Sequence, residues 1–87
     1  MKYLKFEASW CGACKMVQPK LNKVAAEGIV VEKIDAEANN DLVMEYNIRN
    51  LPTVLLVDDS GKELYRAVGS KMNAADLIQT YNDFANV

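Results

Sequence analysis

From Lys2 to Ala8 the chain alternates, with Leu4, Phe6 and Ala8 on one face and Tyr3, Lys5 and Glu7 on the other, which predicts a first strand. From Ala13 the period lengthens, and Val17, Leu21, Val24 and Ala25 form an apolar stripe at helical spacing that runs out at Gly28, a natural residue just past a helix end. Pro19 falls inside this helix, removes one backbone hydrogen bond and predicts a bend, while Lys20 and Lys23 suit its C-terminal half. The β-branched run Ile29 to Ile34 reads as a short buried strand, and Asn40 to Tyr46 as a short helix capped by Asn39 or Asn40. Thr53 to Val57 is continuously apolar and predicts a central strand; Asp58-Asp59-Ser60-Gly61 is turn chemistry leading into Lys62 to Val68 as its hairpin partner. Asn73 is placed to cap a last helix from Ala74 to Ala85, with Leu77, Ile78, Tyr81 and Phe84 or Ala85 as its buried stripe.

The order β-α-β-α-β-β-α predicts an α/β fold: a four-stranded mixed sheet flanked by helices on both faces. Both cysteines then lie at the carboxyl end of the first strand, the edge where open α/β sheets place their sites. At 87 residues, with no repeat, linker or low-complexity segment, the chain is expected to be one domain spanning 1–87. A hydrophobic share of 51% and a charged share of 25% are those of an ordinary soluble globule, and a net charge of −2 leaves no footprint for nucleic acid or an anionic membrane. The first seven residues break their apolar positions with charge, so they are neither a secretory core nor a membrane span, and the chain reads as cytosolic.

That compartment changes how the only two cysteines are read. Structural disulfides are rare there, and the Cys11–Cys14 ring is so small that it would stabilise the fold by only about 2 kcal/mol. Two thiols at this spacing, at the start of a helix whose unpaired N–H groups favour thiolate, fit redox chemistry instead. Cys11 receives that field and attacks; Cys14, one turn later, reaches back and releases a partner held as a mixed disulfide. Metal binding is the competing class, but two cysteines and no histidine leave a zinc site two ligands short, so no metal is expected.

Further residues carry a resemblance. Trp10-Cys11-Gly12-Ala13-Cys14-Lys15-Met16 is similar to the Trp-Cys-Gly-Pro-Cys-Lys-Met pattern of the thioredoxin superfamily, and Pro19 falls at that family's helix-kink proline. Asn47-Ile48-Arg49-Asn50-Leu51-Pro52-Thr53-Val54 resembles the second signature, whose proline is cis and faces the cysteines, and Val68-Gly69 matches the pair that closes the substrate groove. The resemblance spans residues 1 to 87 but lacks the N-terminal strand and helix of ordinary thioredoxins, so the size is glutaredoxin-like and the motifs thioredoxin-like. It implies an exposed nucleophile at Cys11, a buried resolving thiol at Cys14, and a cis Pro52 that exposes the backbone of Leu51 for an added substrate strand. Trp10, Gly12, Ala13, Leu51, Pro52 and Gly69 are the substrate-binding candidates.

The departures are as informative. Lys5 stands where the family buries an aspartate beneath the resolving cysteine, Glu7 where it has a second tryptophan, and Lys33 keeps its lysine on the next strand. A buried lysine is costly unless neutral or paired, so Glu7 is expected to neutralise one lysine and to serve in proton transfer or in tuning the thiols; the alternative is that Lys5 and Glu7 both reach solvent from an edge strand. Ala13 replaces the proline between the cysteines, which leaves the potential anywhere in the span of about −270 to −120 mV that separates reductants from oxidants.

The implied activity is that of a small thiol-disulfide oxidoreductase that reduces protein disulfides through a Cys11/Cys14 cycle. The implied partners are protein disulfides, ribonucleotide reductase among them, with a thioredoxin reductase or glutathione as electron donor. The chain would work as a monomer with no bound cofactor beyond its redox-active disulfide. Two alternatives stay open: a glutathione-dependent, glutaredoxin-like reductase, and a binding module that kept the fold and lost the chemistry.

Overall fold

The structure, a computed structural model, describes residues 1–86. Its elements follow the order β1 (Lys2–Glu7), α1 (Gly12–Ala26), β2 (Val31–Asp35), α2 (Asn40–Glu45), β3 (Thr53–Val57), β4 (Glu63–Val68) and α3 (Ala74–Ala85). The four strands form one sheet in the order β2-β1-β3-β4, with β1 parallel to β2 and antiparallel to β3, and β3 antiparallel to β4. A mixed sheet with helices on both faces is what the hydrophobic pattern predicts.

The alternation of β1 divides the core. Tyr3 joins Val17, Leu21 and Val24 of α1, Val54 and Leu56 of β3 and Leu77 of α3 on one face. Leu4 and Phe6 join Ile34, Leu55 and Val57 on the other, under Leu42, Val43 and Tyr46 from α2 and its end. The Tyr3 hydroxyl donates to the Leu77 carbonyl at 2.6 Å, which ties α3 to the middle of the sheet. Burial, and after it the neighbouring Tyr65, pushes the Tyr3 phenol above its ordinary value and keeps it a donor.

Local signals act where they were expected. Asn73 caps α3, its side chain accepting from the Asp76 N–H at 2.8 Å. Gly28 has φ +82, the left-handed conformation that stops α1, and its N–H donates back to the Ala25 carbonyl at 3.0 Å. The helix α1 is assigned without a break through Pro19.

Three expectations are corrected and one alternative is excluded. The second strand starts at Val31 rather than Ile29 and is an edge strand, not a buried one: Glu32, Lys33 and Asp35 are exposed and only Ile34 is buried. Conversely β1 is an interior strand, which removes the edge position that would have let Lys5 reach solvent. Ala25 is exposed, so the α1 stripe ends at Val24. Phe84 and Ala85 are exposed as well, so the α3 stripe ends at Tyr81.

Candidate active site

Between β1 and α1 the chain turns through Ala8, Ser9 and Trp10, and the Cys11 N–H donates to the Ala8 carbonyl at 3.1 Å. This turn sets Cys11 at the N-cap of α1 in an extended conformation (φ −86, ψ 102), where its Sγ accepts the Cys14 N–H at 3.1 Å. A sulfur therefore occupies the place usually taken by a Ser or Asp oxygen. No acidic side chain lies in the first turn of the helix, so the field of its N-terminal amides reaches that sulfur unopposed. Cys11 and Cys14 are joined as a disulfide, with Cα atoms 5.3 Å apart.

The resemblance implies an exposed Cys11, and the structure differs: in the disulfide form Cys11 is 5% and Cys14 2% exposed. The N-cap geometry turns the Cys11 sulfur into the fold, where the pair packs with Ala8 against Ala13 and Leu51. Approach to Cys11 is controlled by the residues around it. Trp10 is 68% exposed beside the pair, and a Cβ placed on Gly12 would meet nothing within 4 Å.

The second part of the site comes from the other side of the sheet edge. The Leu51–Pro52 peptide bond is cis, as the resemblance implies, and Leu51 touches both the cysteine cluster and the α2-side core. Among the described residues neither the N–H nor the carbonyl of Leu51 has a backbone partner, so both are free for an added strand. Gly69 is linked to this turn by its N–H, which donates to the Pro52 carbonyl at 2.9 Å; at φ +89 it adopts a conformation that other residues resist. Lys20 of α1 donates to the Ser70 carbonyl at 2.8 Å and fastens the Gly69 loop to the helix that carries the cysteines.

The least expected arrangement centres on Lys5 of β1. Lys5 is 2% exposed; its Nζ contacts Glu7 Oε1 at 2.5 Å and donates to Gln18 Oε1 at 2.6 Å. Glu7, 28% exposed, thus pairs with Lys5, as expected of one of the two lysines. Lys33 sits opposite Lys5 on β2 but is exposed and, among the described residues, makes no ion pair. Lys5, Glu7, Ala8 and Gln18 line a pocket of about 310 Å³ whose outer wall holds Ser9, Lys15, Lys33 and Asp35.

Gln18 escaped the sequence reading. Its signal was its position one turn after Cys14, which places both on one side of α1. Arg66 also escaped it: its guanidinium donates to the Tyr46 carbonyl at 2.5 Å and to Glu63 at 2.8 and 2.9 Å, holding the segment that leads into Leu51. A groove of about 470 Å³ beside Trp10, with Val43, Ile48 and Leu51 in its wall, was likewise not foreseen. A further pocket of about 550 Å³ lies at the opposite end of the sheet, near Met1 and Asp58. Among the described residues no cluster of three or more His, Cys, Asp or Glu is placed to hold a metal, and no helix is long and apolar enough to cross a membrane.

Comparison with known proteins gives one consistent result. The family profile described as thioredoxin matches residues 2–83. The chain is 38% identical over 81 residues to a thioredoxin of Mycobacterium bovis, an alignment covering 90% of this chain and 68% of that protein. It is equally similar over 81 residues to a bifunctional thioredoxin reductase/thioredoxin of Mycobacterium leprae, of which it spans 17%. Among solved structures, the thioredoxin of Trypanosoma brucei brucei superposes with a TM-score of 0.83 at 31% identity, over 99% of this chain and 75% of that one. Thioredoxin 1 of Thermosipho africanus superposes with a TM-score of 0.81 at 25% identity, over 99% and 96% of the two chains.

Proposed function

The chain belongs to the thioredoxin family, and from that premise we propose how its residues divide the work of a thiol-disulfide oxidoreductase. Cys11 is the nucleophile. The observation that carries this is its Sγ at the N-cap of α1, accepting the Cys14 N–H: after reduction the same amide and helix field favour thiolate there. The Cys11 thiolate attacks one sulfur of a substrate disulfide, forming a mixed disulfide and expelling the other sulfur as thiolate. Cys14 then loses its proton and attacks Cys11 Sγ, which restores the Cys11–Cys14 disulfide and frees the second substrate thiol. Two electrons pass from the dithiol to the substrate.

Leu51 offers its unpaired N–H and carbonyl to an extended substrate strand, while Pro52 and Gly69 shape the far wall and Trp10, Gly12 and Ala13 the near one. The substrates are protein disulfides, and the chain works as one domain, as a monomer and without a bound cofactor. A thioredoxin reductase is the electron donor; the relative that joins a thioredoxin reductase to a thioredoxin in one protein supports this choice. A dithiol kept reduced in this way fits a cytoplasmic location.

The test is insulin disulfide reduction, driven by NADPH and a thioredoxin reductase in one arm and by glutathione with its reductase in another. Turnover is expected in the first arm. Cys11→Ser is expected to abolish it, and Cys14→Ser to leave a covalent mixed disulfide visible by mass spectrometry. Turnover only with glutathione would replace the donor. A protein with titratable thiols that turns over in neither arm would be a binding module.

A further inference from the structure

Lys5 is a cation in the middle of a sheet, on a strand flanked by two others and covered by α1. Such a group is tolerated when its charge is compensated, and its field is screened far less than that of a surface lysine. Its position follows from two elements. On α1, Cys14 and Gln18 are one turn apart, with Cβ atoms about 5–6 Å from each other. The Gln18 amide joins two partners, accepting from Lys5 Nζ at 2.6 Å and donating to Asn22 Oδ1 at 2.8 Å. Just past β1, Ala8 packs against Cys11 and Cys14 and lines the same pocket as Lys5 and Gln18. The helix and the strand thus converge on one place for the ammonium.

We propose that the Lys5 ammonium lies beneath Cys14 and favours its thiolate in the resolving step, with Glu7 as the positioning residue that holds and partly offsets that charge. The inference rests on the roles given to Cys11 and Cys14 under the proposed function. In the step itself, the Cys14 S–H proton passes to the substrate thiolate expelled first, and the sulfur left behind attacks Cys11 Sγ. The charged groups facing it are Glu7 on its own strand, Lys15 from α1, and Lys33 and Asp35 from β2. Only Glu7 is in contact with it, so Glu7 sets how much of the charge Cys14 feels.

The sign of this arrangement separates it from one in which a carboxylate takes the Cys14 proton. In a Cys11→Ser background, where Cys14 is the only thiol, the pH dependence of its alkylation reads the thiolate directly. Lys5→Met is expected to raise the midpoint by about one pH unit, a tenfold loss of thiolate at a fixed pH below it. Glu7→Gln is expected to lower the midpoint, because the ammonium is then unopposed. An unmoved midpoint in Lys5→Met, or a raised one in Glu7→Gln, would overturn the proposal. Should Lys5→Met fail to fold by circular dichroism, the direction found for Glu7→Gln decides alone. Insulin turnover by the unmodified protein is measured alongside: its absence would sink the oxidoreductase roles, whereas turnover with unmoved midpoints sinks only the part given to Lys5.

Discussion

Lys5–Glu7 and Glu63–Arg66 are the same kind of contact made in two places of one sheet. The first lies on the interior strand β1 under α1, with the lysine 2% exposed. The second lies on the edge strand β4, on the α2 side, with both partners about one-third exposed. At the edge, water solvates whatever the pair leaves unsatisfied. In the interior, the protein must supply every partner, and it does so with Glu7 and the Gln18 amide. Arg66 spends its extra donors on the Tyr46 and Asn47 carbonyls and so organises a loop, while Lys5 links β1 to α1 through Gln18. What a pair contributes is decided by its place in the strand order and not by its chemistry.

The largest effect that would test this contrast is Glu7→Gln, which strands a buried ammonium. It is expected to destabilise by about 2 kcal/mol, below the roughly 3–5 kcal/mol for a fully buried pair because Glu7 is itself partly exposed. Urea unfolding with unchanged slope reads the value, and a loss under about 0.5 kcal/mol would erase the difference between the two pairs. Lys5→Met, which replaces the cation by an apolar chain of similar length, is expected to be nearly neutral or stabilising in the same measurement.

Arg66→Gln is expected to cost about 1 kcal/mol, mostly through the Tyr46 carbonyl and not through Glu63. Glu63→Gln, which spares that carbonyl bond, should cost less; the reverse order would mean that the edge pair matters for its charge. The smallest effect is on pH. Hydrogen bonding to Arg66 holds the Glu63 carboxyl below its ordinary value. Its contribution is therefore present above the unfolded-state glutamate range and is lost as the pH falls through the lower folded value. Melting temperatures followed downward from pH 5 should fall less steeply for Glu63→Gln than for the parent. Parallel curves would remove Glu63 from the acid response.

The contrast also marks what could be read along the chain. Elements fixed by neighbours in sequence were legible: the Asn73 cap, the Gly28 stop, the apolar run of β3 and the Cys11–Cys14 spacing each act within a few residues. Strand order is set by contacts between distant segments, and there the reading placed β3 correctly in the interior but misjudged β2. Lys5 and Glu7, two apart on β1, have the pattern of a solvated face, yet β2 and β3 flank that strand and α1 covers it. The β-branched run before β2 has the pattern of a buried strand, yet it lies at the edge. The cis Leu51–Pro52 bond and the pairing of Glu7 with one lysine were anticipated, the first through the second signature and the second through the cost of a buried cation. The burial of Cys11 was not, because it depends on how the N-cap turns the sulfur inward.

The edge position of β2 has a consequence for life in a crowded solution. An open sheet edge is a template on which a strand of another molecule can grow, the first event of fibrillar aggregation. Val31–Asp35 presents Glu32, Lys33 and Asp35 along that edge, and an incoming strand would have to strip water from charges of both signs. The residues that make β2 a poor core strand protect the chain against association with its own copies.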